Sequence, residues 1–154
     1  MPTQTATSEN RFNIQFMNNK ELSKTVLTGQ IPSFTHNHTL VMYAGEYVKM
    51  PGDNLEIGEL TINFKLQENY ENYIILYDWM QNNFLNANNS DLMEFDTIEY
   101  LILNAAYTPI LSFTYGYCYP TVIEQIDHTT QTAGADELEF SVTFVVNTVV
   151  KNSF

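Results

Sequence analysis

Residues 60–66, LTINFKL, alternate without a break: Leu60, Ile62, Phe64 and Leu66 are apolar, and Thr61, Asn63 and Lys65 lie between them. Successive side chains of a strand point to opposite faces, so this run predicts a strand with one buried face. At Gln67-Glu68-Asn69 the period changes. Tyr73, Leu76, Tyr77 and Met80 then fall at i, i+3, i+4 and i+7, one stripe of a helix that also carries the only tryptophan, Trp79. Asn69 is placed to cap this helix, and Glu71 lies in its first turn, where a carboxylate complements the helix dipole. Before the strand, Pro51-Gly52-Asp53 reads as a turn. The stretch 49–81 therefore predicts a strand that lays a helix onto its own sheet.

The period of two recurs along the chain. Phe12, Ile14 and Phe16 alternate with polar residues. Shorter strands are expected at 23–28, around Val26 and Leu27, at 34–41 and at 47–50, with a Gly-containing turn at 43–46. The Asn-rich run 82–90 should stop the helix near Asn83, because asparagine is a poor helix former. Residues 98–103 read as a central strand and 110–119 as another, ended by Pro120; 122–126 is a short strand or bend. The cleanest late strand is 138–146, with Leu138, Phe140, Val142, Phe144 and Val146 on one face. About eight strands and one helix with short links predict a mainly β fold, an antiparallel sandwich or barrel with one flanking α-helix. Residues 1–10, rich in Thr, Ser, Gln and Asn, are expected to form a flexible arm, and 11–154 a single domain.

Charge distinguishes the chain more than its apolar content does. The formal net charge is −12, from 6 basic and 18 acidic residues. All the basic residues, Arg11, Lys20, Lys24, Lys49, Lys65 and Lys151, lie outside 66–150, and twelve acidic residues from Glu68 to Glu139 lie inside it. A face this acidic repels a phosphate backbone. It reads either as a solvated face that aids solubility or as a surface that nucleic acid passes without sticking. No apolar run is long enough to cross a membrane as a helix, so no membrane partner is expected, and the first residues lack the features of a secretory signal. Cys118 alone leaves no internal disulfide, which suits a reducing compartment.

The order Pro51-Gly52-Asp53, alternating strand, Gln67-Glu68-Asn69-Tyr70-Glu71-Asn72-Tyr73, then Trp79-Met80, resembles the tail tube proteins of contractile-tailed bacteriophages, relatives of the type VI secretion tube proteins. The likeness runs through strands at 98–104 and 109–119, a turn at Pro120, a long polar loop and the strand at 138–146, and covers 12–149. It rests on order and spacing, and no motif in it is catalytic. Gln67 stands where many relatives carry Asp, a polar swap expected to disturb little. The resemblance implies a structural subunit that stacks as hexameric rings into a hollow conduit with an acidic lumen, through which DNA passes without specific binding. It implies as partners further copies of itself, the tail sheath, the tape-measure protein, the baseplate and the head-proximal terminator. The place implied is the virion tail, assembled in the host cytoplasm. The hairpin region 37–57 is implied to reach the neighbouring ring, with contact candidates Tyr43, Glu46, Tyr47, Lys49, Asp53 and Asn54. Candidates for the acidic wall are Glu94, Asp96, Glu124, Asp127, Asp136, Glu137 and Glu139. A tube initiator at the baseplate, or a tail terminator of the same fold, stays open as an alternative.

Conventional chemistry finds little footing. His36 and His38 form an H-x-H pair that would need Cys118 or His128 to complete a zinc site; exposed strand histidines explain them more simply. Asp136, Glu137 and Glu139 suggest acid–base work, but they flank a polar loop and read as solvated. Tyr115, Tyr117 and Tyr119 lie at strand spacing and read as cross-strand packing; as a binding row they would make the chain a monomeric carbohydrate-binding β-sandwich. No nucleophile elbow, phosphate loop or paired-cysteine motif is present. Neither enzymatic activity nor a cofactor is expected.

Overall fold

The computed structural model describes residues 8, 10–130 and 137–154. Among them the elements run β1 (Phe12–Phe16), α1 (Lys20–Ser23), β2 (Val26–Thr28), β3 (Phe34–Tyr43), β4 (Glu46–Ile57), β5 (Leu60–Lys65), α2 (Glu71–Leu85), a 3-10 turn (Ser90–Leu92), β6 (Asp96–Leu103), β7 (Pro109–Ile123), β8 (Glu139–Val145) and β9 (Thr148–Ser153). Nearly all of the expected N-terminal arm lies outside the described residues, as does Asp136.

Seven strands form one antiparallel path in the order β1-β6-β7-β8-β5-β2, with β9 added beside β7; β3 and β4 form a separate ribbon. The 15-residue β7 serves two sheets. Its first half pairs with β6 on one side and β9 on the other, and its second half pairs with β8. The two ends of the path meet at α1, where Phe16 donates its amide to Ser23 Oγ at 2.8 Å and Lys65 donates its amide to the Thr25 carbonyl at 2.8 Å. The result is a barrel-like sheet, mainly β and antiparallel, as the alternation predicts.

Its core joins the sheets through aromatic rings. Phe16 of β1 lies 6.0 Å from Phe64 of β5 and 5.6 Å from Phe144 of β8, and Trp79 of α2 is 6.0 Å from Phe144. Truncating a buried phenylalanine in such a cluster costs about 3–5 kcal/mol.

The helix lies where the period change puts it but presents a different face. Asn72, Leu76 and Trp79 are buried, Tyr73 and Met80 are half-buried and Tyr77 is exposed. The buried stripe is turned by about 80° from the apolar one, at 100° per residue. The cause is polar. Asn72 Nδ2 donates to the Lys65 carbonyl at 2.6 Å and to Thr25 Oγ1 at 3.1 Å, and the Asn72 amide donates to Gln67 Oε1 at 3.1 Å. Gln67 thus ties the helix entrance to β5, a role the sequence did not suggest. Asn69 is not the N-cap: Tyr70, with φ 57°, precedes the helix and its side chain makes no capping bond, although Asn69 Oδ1 one residue earlier accepts the Glu71 amide at 3.2 Å. The helix outlasts Asn83 by two residues because Asn82, Asn83 and Asn86 spend their amide groups on nearby backbone and side-chain oxygens and hold the following loop.

Two predicted breaks are bulges inside strands. Pro51-Gly52-Asp53 is not a turn. It lies within β4, where the register jumps from His36↔Leu55 to His38↔Pro51. Pro120 does not end β7. The strand continues to Ile123 past an irregularity between Pro120 and Val122, which accommodates the missing N–H. Sequence periodicity also passed over β9 and the one-turn α1.

Asn72→Ala removes donors that satisfy a carbonyl and a hydroxyl inside the barrel wall, at a cost of about 1–3 kcal/mol. Urea unfolding should show its midpoint lowered accordingly, whereas Ile74→Ala, at an exposed position of the same helix, should stay within about 0.5 kcal/mol of the parent.

Candidate functional site

Every residue of β3 is exposed, and β4 becomes half-buried only at Gly52 and Ile57. The ribbon leaves the barrel at Phe34, whose ring lies 6.3 Å from Phe113, and at Gly58, whose amide donates to the Ser33 carbonyl at 2.7 Å. At about 3.3 Å per residue its 10-residue strand β3 is roughly 33 Å long, longer than any strand of β5, β6 or β8. Tyr43 and Glu46 close it around Ala44 and Gly45, both with positive φ (53° and 84°), the geometry of a tight type I′ hairpin turn. Lower down, Asn37 Oδ1 accepts the Asn54 amide at 2.8 Å, and the His36 ring lies 2.7 Å from the Gly52 carbonyl, which bridges the bulge. The structure therefore gathers Tyr43, Glu46, Tyr47, Lys49, Asp53 and Asn54 on one projecting ribbon.

Both ribbon faces are apolar. Leu40, Met42 and Tyr47 share one face with Lys49; Val41, Tyr43, Val48 and Met50 share the other. Tyr43 and Tyr47 are 74% and 69% exposed. An isolated two-stranded ribbon is marginal in water, and one with greasy side chains on both faces needs cover on both.

The acidic candidates scatter. Asp96 is not on a surface at all: it is 2% exposed. Its oxygens accept the amides of Asn18 (2.9 Å), Asn19 (3.2 Å) and Thr97 (2.7 Å) and the Asn19 side chain (3.0 Å), so its charge is spent on the β1–α1 corner. Glu137 pairs with Lys65 at 3.1 Å and Glu139 accepts from Asn63 at 2.7 Å, on the solvent side of β5 and β8. Glu124 and Asp127 are exposed in the segment after β7, and Glu94 is exposed just before β6.

The tyrosine row is broken. Between the pairs Ile98↔Tyr115 and Asp96↔Cys118, β6 contributes one residue and β7 two, Gly116 and Tyr117. This bulge inverts the alternation: Tyr115 is buried, Tyr117 is 62% exposed and Cys118 is buried. Tyr117 takes φ 52°, a left-handed conformation that costs a non-glycine residue on the order of 1 kcal/mol. Asn147 holds it there, its side chain donating to the Tyr117 carbonyl at 2.7 Å and its amide to the Gly116 carbonyl at 3.2 Å. Gly116 has no room for a side chain, since a Cβ would meet Thr148 Oγ1 at 2.3 Å. Phe95 stands edge-on to both Tyr117 and Tyr119, at 6.0 and 5.8 Å. Phe95, Tyr119, Met93, Asn83 and Asn147 line a cleft of about 290 Å³. A second, more open groove follows α2 between Tyr73, Tyr77, Phe84 and Ile123.

Potential metal ligands do not converge. His36 and His38 sit on the ribbon, Cys118 in the core, and His128 Nε2 lies 2.8 Å from Tyr70 Oη at the start of α2. No group of three His, Cys, Asp or Glu side chains poised for a metal occurs among the described residues. No helix among them is long and apolar enough to cross a membrane. Burial pushes the Cys118 thiol up to about 12 from 9.0, with the nearby Asp96 charge adding to the rise and a backbone hydrogen bond at Ile98 opposing it.

No protein-family profile matches the sequence, and no curated protein matches it. The fold does have counterparts among solved structures. The tube-terminating cap of the anti-feeding prophage superposes with a TM-score of 0.73 at 15% identity over 100% of this chain and 95% of that one. The sheath/tube terminator of the extracellular contractile injection system PVC gives 0.70 at 14% identity over 99% and 100%. A chain of the PVC sheath–tube complex gives 0.64 at 15% identity over 94% and 89%. The tail-tube-type fold expected from the resemblance is thus the fold of this chain.

The thiol position has a direct readout. Cys118 should resist an aromatic disulfide reagent at pH 8 and react only when denaturant opens the barrel. Because the folded thiol stays neutral up to about 12 while an unfolded one ionises near 9.0, folding stability should fall as pH rises through that window. Burial also raises Tyr100 and Tyr115, which steepens the fall above their ordinary 10.0. Cys118→Ala should lessen the decline.

Proposed function

We propose that this protein is a structural subunit of the tube of a contractile tail or tail-like injection particle. Copies form rings, by analogy six to a ring, and the rings stack into a hollow conduit. The observation that carries this reading is the β3–β4 ribbon: 22 residues of β-structure, 20 of them exposed, apolar on both faces and rooted in a barrel-like body. A monomer gains nothing from such an element. A stack of rings does, because a neighbouring ring offers two adjacent subunits between which a two-faced ribbon can be buried. Tyr43, Glu46, Tyr47, Lys49, Asp53 and Asn54 are then the contacts between rings.

The charge imbalance supports the conduit. With Asp96 taken into the fold, exposed Glu94, Glu124, Asp127, Glu137 and Glu139 remain to make the particle's surfaces acidic, and an acidic wall lets DNA slide without adsorbing. In this reading the sheath surrounds the tube, a tape-measure protein occupies it before ejection, and a baseplate and a terminator close its ends. The work is mechanical and electrostatic, with no enzymatic step. The chain's place is the assembled particle, with assembly in the host cytoplasm.

A second reading has its own support. The two caps superpose end to end with this chain, with TM-scores of 0.73 and 0.70, against 0.64 for the tube-complex chain. In that case one ring of this protein ends the tube.

Electron microscopy of the purified protein at high concentration should show rings with six-fold class averages that stack into tubes. Monomers that persist under all conditions overturn the proposal. Rings that never stack, together with one ring's worth of copies per particle, select the cap.

A further inference from the structure

The β3–β4 ribbon carries the two most exposed sulfur-containing side chains among the described residues. Met42 is 57% exposed and Met50 46%, ahead of Met17 at 40%. Met80 and Met93 are half-buried, and Cys118 is buried. The register sets the two ribbon methionines on opposite faces: Met42 stands across from Tyr47 and beside Leu40, and Met50 across from Thr39 and beside Val48. Three residue pairs separate them, about 10 Å along the ribbon. Each apolar face therefore contains one thioether. A thioether is soft and nearly apolar, and it fits such a face. Its sulfoxide is polar, with an S=O oxygen that needs a hydrogen-bond donor. A contact that buries that oxygen among apolar side chains leaves it unsatisfied.

We propose that Met42 and Met50 form a peroxide-sensitive switch on ring stacking: oxidised in the free subunit they block the ribbon, and buried between rings they are protected. The inference rests on the ring-stacking reading and gives that contact a chemical control. The oxidant is a hydroperoxide, in the simplest case hydrogen peroxide. The methionine sulfur donates its lone pair to one peroxide oxygen, the S–O bond forms and the O–O bond breaks. The proton on the transferred oxygen passes to the departing hydroxide, which leaves as water. Sulfur loses two electrons and the peroxide gains them. No neighbouring acid or base is required, so exposure sets the order of reaction. A thiol-dependent sulfoxide reductase reverses the step, releasing the oxygen as water while two thiols become a disulfide. Cys118 does not compete, because burial keeps its thiol neutral and the thiolate is the reactive form. With one methionine on each face, oxidation spoils both faces at once.

The test treats the full chain with hydrogen peroxide before assembly, maps each methionine by mass spectrometry, and reads stacking by sedimentation and microscopy. Met42 and Met50 should gain oxygen several-fold faster than Met80 and Met93, and the stacked fraction should fall about ten-fold. A methionine sulfoxide reductase with dithiothreitol should restore it. The double variant Met42→Leu, Met50→Leu, apolar and of similar volume, should stack with or without peroxide. Met17→Leu should stay as sensitive as the parent. A second measurement needs no variant: in preformed tubes both ribbon methionines should oxidise several-fold more slowly than in free subunits. Full oxidation of Met42 and Met50 with stacking unchanged, equal loss of stacking in the double variant, or equal oxidation rates in tubes and free subunits overturns the switch and leaves the tube standing. A reduced chain that never stacks refutes the tube and the switch with it.

Discussion

The 15 residues of β7 pair with β6, β9 and β8, and the barrel exists because this strand changes partners without breaking. The bulge at Gly116-Tyr117 inverts which face is inward, and the irregularity at Pro120 lets the second half leave one sheet for the other. Flat, regular backbone across this span would leave Tyr115 and Cys118 on opposite faces of a single sheet. Around the bend, Phe16, Phe64 and Phe144 close the space between sheets. The same inversion turns Tyr117 outward beside Phe95, so the step that closes the core also opens the aromatic cleft.

Much of the architecture was legible because its signals are local. The alternation of Leu60, Ile62 and Phe64, and of Phe140, Val142 and Phe144, maps onto β5 and β8 with those side chains buried. The helix after Asn69 was legible for the same reason. What escaped was set by partners distant in sequence. Asn72 reads as a surface residue until Lys65 and Thr25 are beside it, and Gln67 as filler until its oxygen meets the Asn72 amide. Asp96 reads as one more surface charge until the amides of Asn18 and Asn19, 78 and 77 positions away, converge on it. Pro51 and Pro120 read as breaks because proline usually is one, and only the register of a partner strand shows a bulge. The six ribbon residues were named from the family resemblance, and the structure places them together on β3 and β4. The cleft was not, because its parts come from α2, β7 and the segments before β6 and after β8 and carry no joint motif.

The cations show how the chain divides its labour. Lys24 and Lys65 have carboxylate partners at 3.3 and 3.1 Å, exposed pairs that add little to stability. Lys49 is held out on the ribbon instead. In a chain with a charge of −12, it is the one lysine set apart on the projecting ribbon.

Strand β8 sits between β5 and β7, yet its residues come long after β5: Ser141 and Asn63 touch across 78 positions. Such long-range pairing is slow compared with closing a hairpin. During synthesis the ribbon zips up early, while the wall that completes the body waits for the last third of the sequence. Nascent chains thus carry the exposed ribbon before the body from which it projects has closed.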